Sequence, residues 1–327
     1  MNILVTGGAG FIGSNFVRYM LETHPSDTII NLDLLTYAGN IHNLDDVKDN
    51  PNYHFVQGNI TNAELVRHIT EQYKITHFVN FAAESHVDRS ILNPEIFVET
   101  NIQGTLALLN VAKEKNIEKY LQVSTDEVYG SLGEEGYFTE DTPLAPNSPY
   151  SSSKAGADLL VRSYYETYGM NVNITRCSNN YGPYHFPEKL IPLMITNAMD
   201  GKNLPVYGDG KNIRDWLHVK DHCQAIDLVL REGRSGEVYN VGGHNERTNN
   251  EIVDLIINKL DVSKELKVYV EDRLGHDRRY AIDPNKLETE LGWKPQYTFD
   301  TGILETIEWY QNNENWWRPL KERADLS

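Results

Sequence analysis

Thr125, Asp126 and Glu127 follow a short apolar run (Tyr120, Leu121, Gln122, Val123), so a hydroxyl and two adjacent carboxylates stand together just past a buried segment. Tyr150 and Lys154 come a little later, four residues apart at the head of a predicted helix. That spacing puts them on one helical face, one turn from each other. A phenol beside an ammonium can act as a general base, because the cation favours the phenolate. Bringing a tyrosine from near 10 to near neutrality takes about 4 kcal/mol of differential stabilisation, which a neighbouring lysine and a cationic cofactor ring together can supply. Two adjacent carboxylates can divide acid and base work if their environments differ. Taken alone, a Thr-Asp-Glu set also serves as a turn or helix cap, and a Tyr–Lys pair also decorates exposed helices. The start of the chain decides between these readings.

Residues 2–6 form an apolar strand that runs into Gly7-Gly8-Ala9-Gly10-Phe11-Ile12-Gly13, and helical spacing follows over 14–22. Glycines at 7, 10 and 13 between a strand and a helix allow a tight turn, with a dinucleotide pyrophosphate meeting the positive helix end. The next predicted strand, 28–32, ends at Asp33, twenty residues after Gly13. A carboxylate there accepts from a ribose 2′-hydroxyl and repels a 2′-phosphate, which favours NAD over NADP.

Strands predicted at 53–57, 77–82, 119–124 and 171–176 alternate with helices at 63–73, 98–113 and from Pro149 to the Gly169 that follows it. Ser148 is placed to cap that last helix, with Pro149 at its first position. The alternation predicts an α/β fold, a Rossmann-type doubly wound parallel sheet. In such a sheet, ligands sit beyond the carboxyl ends of the strands, where residues 124–127 lie.

After Ser178 the texture changes to turn-rich and aromatic sequence. Helices are predicted at 190–199, 221–231 and 248–260, with short strands near Leu204, Trp216, Val238 and Val268. This predicts an NAD-binding domain of residues 1–182 with a return segment of about 223–248. A smaller α/β substrate-binding lobe takes 183–222 and about 249–327. The lobe carries Lys189, Arg214, Arg273, Arg278 and Arg279, and arginines in this group could clamp a pyrophosphate.

The chain has 327 residues with a hydrophobic fraction of 40%, enough for a large core. A net charge of −17 without a basic run argues against a nucleic-acid partner. No apolar run reaches membrane-spanning length, and residue 2 already begins a strand, which leaves no targeting segment in the expectation. Two cysteines, Cys177 and Cys223, make no disulfide framework and fit a reducing cytoplasm, with Cys177 expected as a small buried residue. His218 and His222, four apart without a third ligand, do not make a metal site.

The glycine motif, Ala82-Ala83-Glu84-Ser85-His86-Val87-Asp88-Arg89-Ser90, Ser124-Thr125-Asp126-Glu127-Val128-Tyr129-Gly130, Tyr150 with Lys154, Cys177-Ser178-Asn179-Asn180-Tyr181-Gly182-Pro183 and Gly275-His276-Asp277-Arg278-Arg279-Tyr280 resemble the extended short-chain dehydrogenase/reductase family from Met1 to Trp317. Within it the Asp126–Glu127 pair is similar to that of nucleotide-sugar 4,6-dehydratases. The related epimerases carry small residues there, and the decarboxylases and GDP-mannose dehydratases carry Thr-Ser-Glu.

The resemblance implies an NAD-dependent lyase that oxidises a nucleotide-linked hexose at carbon 4, eliminates water across carbons 5 and 6, and returns the hydride to carbon 6. Tyr150 would take the 4-hydroxyl proton, assisted by Lys154 and Thr125. Glu127 would take the carbon-5 proton, and Asp126 would protonate the departing 6-hydroxyl. For the cofactor it implies Gly7, Gly10, Phe11, Ile12, Gly13, Asp33, Leu34, Leu35, Thr36, Asn59, Ile60, Ala82, Ala83, Glu84, Ser85, Thr100 and Asn180 beside Tyr150 and Lys154. For the nucleotide sugar it implies Ser85, Thr125, Asn179, Lys189, Leu190, Pro205, Val206, Tyr207, Arg214, Asn249, Asp272, Arg273, Leu274, Gly275 and His276. Asn59 stands where the pattern usually has Asp, and Leu274 where many members have Pro. The resemblance further implies a thymidine nucleotide, an opening step of deoxysugar (rhamnose) synthesis, and a homodimer formed through the helices at 98–113 and 150–168. The residues themselves also admit a uridine nucleotide, a nucleotide-sugar 4-epimerase, or a cofactor-sensing regulator that has no turnover.

Overall fold

Residues 1–325 are described by a computed structural model. Its centre is a sheet of β1 (Asn2–Thr6), β2 (Thr28–Asp33), β3 (Tyr53–Gln57), β4 (His77–Asn80), β5 (Lys119–Thr125), β6 (Val172–Cys177) and a late strand, Val238–Val241. Every neighbouring pair runs parallel, in the order Val238–Val241, β6, β5, β4, β1, β2, β3. From β1 the chain works outward first through β2 and β3, then on the other side through β4, β5 and β6. The strand order therefore reverses between β1 and β4, and the crevice at such a reversal is where ligands bind in open α/β sheets.

Parallel strands are covered on both faces, so their side chains divide between two cores. Ile3, Val5, Val79, Leu121 and Val123 join Phe16, Val17 and Met20 of α1 (Phe11–Thr23) in one. Leu4, Ile30, Phe78 and Tyr120 meet Val66 and Ile69 of α2 (Ala63–Gln72) in the other. Beyond β4 come two short helices, α3 (Val87–Leu92) and α4 (Glu95–Phe97), then a π-helical stretch, Val98–Gly104, leading into α5 (Thr105–Glu114). After β5, α6 (Pro149–Tyr168) returns along the second face, with α5 beside it.

The remainder builds two small sheets and a third core, the expected smaller lobe, and returns one strand to the main sheet. It comprises β7 (Asn179–Tyr181), α7 (Leu190–Met199), β8 (Leu204–Tyr207), β9 (Ile213–His218), α8 (Val219–Glu232), β10 (Val238–Val241), β11 (Glu246–Thr248), α9 (Asn249–Leu260), β12 (Lys267–Val270), α10 (Asn285–Leu291), α11 (Phe299–Asn312) and α12 (Glu314–Asp325). β9 pairs with β7 in parallel and β11 antiparallel, while β12 and β8 make a separate parallel pair. A third core gathers Tyr181, Met194, Trp216, Ile256, Phe299 and Trp317. α8 contributes Ile226 and Val229 to the first core, and β10 completes the main sheet. Residues 326 and 327, the end of the expected lobe, lie outside the described residues.

Three expectations change. The helix expected over 98–113 opens as a π-helical stretch, because Asn101 turns inward. Its side chain donates to the Glu84 carbonyl (3.0 Å) and Ser153 Oγ (2.8 Å), and accepts from Glu84 N (2.9 Å). The strand expected over 77–82 stops at Asn80, and residues 81–86 leave the sheet to border the crevice. α10, α11 and α12 had no counterpart among the expected elements. Among the described residues, no helix is long and apolar enough to cross a membrane.

Candidate active site

A cleft of about 740 Å³ runs from the glycine turn, past the ends of β4 and β5, into the smaller lobe. Its cofactor end is built by α1. Gly10 caps this helix without any side chain to occupy its first turn, and Gly10, Phe11, Ile12 and Gly13 face the cleft. The turn is as tight as the sequence suggests: a Cβ on Gly13 would lie 2.2 Å from the Gly7 carbonyl oxygen, and one on Gly7 2.7 Å from Ala82 N. Asp33 ends β2 in the cleft wall, its Oδ2 accepting from Ala9 N (2.9 Å) and its Oδ1 from Leu35 N (2.8 Å). The carboxylate is therefore aimed by the backbone and each oxygen keeps a lone pair for a ribose hydroxyl. An open helix N-terminus, a turn without room for a Cβ at Gly7 or Gly13 and a fixed acid fit a dinucleotide without a 2′-phosphate.

At the end of β5, Thr125 caps a 3₁₀ turn, Asp126–Tyr129, by accepting from Glu127 N (3.2 Å). The turn sends the two acids different ways. Glu127 lines the cleft, whereas Asp126 is 1% exposed and has an Oδ2 with no hydrogen-bond partner. Burial, then the charges of Glu127 and Asp215, push the Asp126 carboxyl well above the usual range. Burial also raises Glu127, but Arg214, Arg273 and Lys189 pull it back. Asp126 is thereby held as the acid of the pair, with Glu127 the readier carboxylate.

Ser148 and Ser151 form a reciprocal capping box at the head of α6, Pro149 opens it, and Gly169 closes it in the left-handed conformation. This fixes Tyr150 and Lys154 in the cleft wall. Lys154 Nζ donates to the Val123 carbonyl (2.9 Å). In the protein chain alone the Tyr150 phenol sits well above its ordinary value, raised by burial and then by Glu127, with the Thr125 hydroxyl working the other way. The expected lowering by Lys154 is not what dominates here. The ammonium is turned to the strand carbonyl, and burial depresses its own pKa. Cys177 is buried, donates to the Ser124 carbonyl (3.4 Å) and is pushed up to about 12, which suits a packing residue and not a nucleophile.

At the far end the cleft meets cations. Arg214 is buried, donates to the carbonyls of Ile213 and Asp277 (2.8 Å each), and lies 4.2 Å from the Tyr280 ring centre. Lys189 Nζ reaches the Ser85 carbonyl (3.4 Å) and Arg273 faces Asp88 (3.8 Å). These three line the cleft, but Arg278 and Arg279 do not. Arg278 pairs with Asp209 on the surface (2.8 Å), and Arg279 with Glu246 (2.7 Å). A phosphate clamp drawn from the sequence therefore loses its last two members.

Most of the expected contacts come together. Leu34, Thr36, Asn59, Ile60, Ala82, Ala83, Glu84, Ser85, Thr100 and Asn180 join the glycine turn, and Asn179, Leu190, Pro205, Tyr207, Asn249 and His276 join the cations. Six lie outside the wall: Asp126, Leu35, Val206, Asp272, Leu274 and Gly275. Val206 is buried in the third core, Leu274 is largely exposed, and Asp272 holds His276 Nδ1 (2.5 Å) from outside. The wall also includes residues not expected. His185 stacks on Phe11 (4.1 Å between ring centres), and His86 meets Glu188 (3.6 Å) across the two lobes. The sequence signals for these were the aromatic, histidine-bearing run after Pro183, for His185 and Glu188, and the motif over 82–90, for His86. His218 caps α8 and stacks on Tyr297, while His222 bonds Asn180. Among the described residues, no group of His, Cys, Asp and Glu is arranged to hold a metal.

The family profile described as GDP-mannose 4,6 dehydratase matches residues 4–306. The dTDP-glucose 4,6-dehydratase of Xanthomonas campestris pv. campestris (strain B100) is 53% identical, with 96% of this chain and 94% of that protein aligned. The crystal structure of dTDP-glucose 4,6-dehydratase from Bacillus anthracis str. Ames in complex with NAD superimposes with a TM-score of 0.93 at 58% identity, covering 98% and 99% of the two chains. That of the Streptomyces venezuelae dTDP-glucose 4,6-dehydratase, with NAD and dTDP bound, gives 0.95 at 52% identity, covering 98% and 100%.

Proposed function

The chain belongs to the GDP-mannose 4,6 dehydratase family within the extended short-chain dehydrogenase/reductases, and from that membership we propose that it converts dTDP-glucose to dTDP-4-keto-6-deoxyglucose and water. The observation that carries the reading is the pair at the end of β5: a buried, raised Asp126 carboxyl next to a Glu127 that faces the cleft.

Bound NAD supplies the redox chemistry, accepting hydride from carbon 4 and giving it back at carbon 6. Phe11, Ile12 and Gly13 hold its pyrophosphate at the α1 terminus, Asp33 its adenosine ribose, and Asn59 and Ile60 its adenine. Arg214, Lys189 and Arg273 neutralise the substrate diphosphate. Tyr150 takes the 4-hydroxyl proton, with Lys154 and Thr125 holding its geometry. A ketone at carbon 4 acidifies the carbon-5 proton, which Glu127 removes, while Asp126 gives its proton to the departing 6-hydroxyl; as the hydride returns to carbon 6, carbon 5 is reprotonated. An epimerase needs neither carboxyl, and a regulator without turnover needs no Tyr–Lys pair.

The exposed Val98, Leu106, Leu159 and Tyr168 on the π-helical stretch, α5 and α6 support a homodimer through this face. Two free, buried cysteines suit a reducing cytoplasm. We take residues 1–182 with 223–248 as the cofactor domain and the rest as the sugar-nucleotide lobe, and place the reaction at the start of deoxysugar synthesis. Incubation with dTDP-glucose and catalytic NAD, followed by mass spectrometry, tests the function. Loss of one water per sugar without net reduction of the cofactor is expected. An isomer of unchanged mass would point to epimerisation instead, and failure to act on dTDP-glucose while acting on a UDP-sugar would correct the nucleotide.

A further inference from the structure

Behind Lys154 lies a buried polar chain to which the reaction gives no part. Asp158 follows Lys154 by one turn of α6 and is 1% exposed. Its Oδ2 accepts from Ser124 Oγ and from Arg176 Nε, each at 2.9 Å, while its Oδ1 is buried with no hydrogen-bond partner. Arg176 Nη1 donates to the Tyr129 hydroxyl (3.1 Å), which donates in turn to Asn240 Oδ1 (2.7 Å) on β10. Ser124 is the residue after Val123, whose carbonyl receives Lys154 Nζ. The carboxylate thus holds through a side chain the same strand end that the lysine holds through the main chain. An ion pair so fully buried carries a desolvation cost that well-packed apolar residues would not, so stability alone is a weak reason for its presence.

We propose that Asp158 is a positioning residue for the catalytic pair: it places a buried carboxyl one helical turn from Lys154 and, through Ser124, fixes the strand end on which the Lys154 ammonium rests. This rests on the assignment of Tyr150 and Lys154 to the reaction. Burial lowers the lysine pKa, and Asp158 and Cys177 oppose that fall. The groups facing Lys154 and Asp158 are Arg176 and Cys177 from β6, Tyr120 and Ser124 from β5, Tyr129 from the turn after it, and Tyr150 on α6 itself, which the carboxyls of Glu127 and Asp126 face in turn. From the π-helical stretch, the neutral Asn101 reaches α6 at Ser153. Of these, Asp158 is the carboxylate that shares a helix with the lysine. With Asp158 removed, the ammonium gives up its proton at a lower pH, so activity falls first on the alkaline side.

The test is the pH profile of water loss from dTDP-glucose for Asp158→Asn beside the wild type. Activity within about threefold of wild type at the acidic end is expected, with a deficit of about tenfold or more on the alkaline side, equivalent to a limb displaced by about one pH unit. Asp158→Glu should move the limb back. Asn at 158 leaves Arg176 without its buried counter-charge, so the double variant Asp158→Asn/Arg176→Gln, which removes both charges, guards against simple misfolding and should show the same displacement. A loss equal at every pH in both variants, or profiles that superimpose on wild type, would overturn the proposal. A wild-type protein that releases no water would overturn the reaction itself and this inference with it.

Discussion

Asp126→Asn isolates the step that distinguishes a dehydratase from its relatives. The side chain is 1% exposed, and its Oδ2 makes no hydrogen bond that an amide would break. Asn has nearly the same shape, so the fold and the Glu127 geometry should survive. What it lacks is a transferable proton. Loss of a positioned general acid lowers turnover by about 10²–10⁴-fold, which corresponds to about 3–5 kcal/mol of transition-state stabilisation. The deficit belongs in kcat, with affinity for dTDP unchanged, because the interaction is made only as the 6-hydroxyl departs. Wild-type water loss should also decline as pH rises through the elevated Asp126 pKa, and that limb should be missing from the variant.

Stability gives a second readout with a definite sign. The folded pKa of Asp126 lies above its unfolded value of about 3.9, so its stabilising contribution is fully present below that pH and is lost as pH rises through the folded pKa. Asn titrates nowhere in this range. The melting temperature of Asp126→Asn relative to wild type should therefore rise as pH rises above the unfolded value of about 3.9. Turnover retained within about tenfold of wild type, or a melting difference that falls with pH, would refute the assignment of Asp126 as a buried, protonated acid.

Arg214→Lys keeps the charge but loses the planar contact with Tyr280 and the two carbonyl hydrogen bonds, and should weaken dTDP binding by about tenfold to a hundredfold; calorimetric titration showing unchanged affinity would remove Arg214 from the diphosphate site. Gly13→Ala places a methyl 2.2 Å from the Gly7 carbonyl, against backbone that has no room to yield, and should abolish NAD retention as read by the cofactor content of the purified protein. Trp317→Ala empties a fully buried site in the third core and releases the Tyr310 carbonyl from its indole hydrogen bond (2.9 Å), so a loss of about 3–5 kcal/mol is expected by denaturant titration.

Where local chemistry decides an element, the sequence was sufficient. β3 and α7 fall on their expected residues, and α6 lies between the Ser148 cap and Gly169 because capping and left-handed closure are written in a few neighbouring side chains. Where a distant partner decides, it was not. Nothing near Asn101 announces that its amide will bond Glu84 and Ser153, so the π-helical opening before α5 was invisible. Phe81 and Ala82 look like strand, but after the Phe81 N bond to the Thr6 carbonyl the chain leaves β1, which ends, and β5, which runs on to Thr125. Five cations in the smaller lobe were equivalent by type. Only the packing of that lobe turns Arg214 and Arg273 into the cleft while Asp209 and Glu246 retain Arg278 and Arg279.

The site residues carried by motif were legible for a further reason: they sit at strand ends and helix heads, where direction follows from geometry. The Thr125 cap stops β5 just before the two acids, and successive side chains around the 3₁₀ turn that carries them point about a third of a turn apart. One carboxyl is thereby the more enclosed, where burial and its neighbour keep it protonated, and the other lines the cleft, where burial raises it but three cations oppose that rise. Adjacency at a strand end is thus itself the device that makes an acid and a base from two carboxylates. It explains why the pair, more than the cofactor motif or the Tyr–Lys couple shared across the wider family, identifies the elimination of water as the reaction.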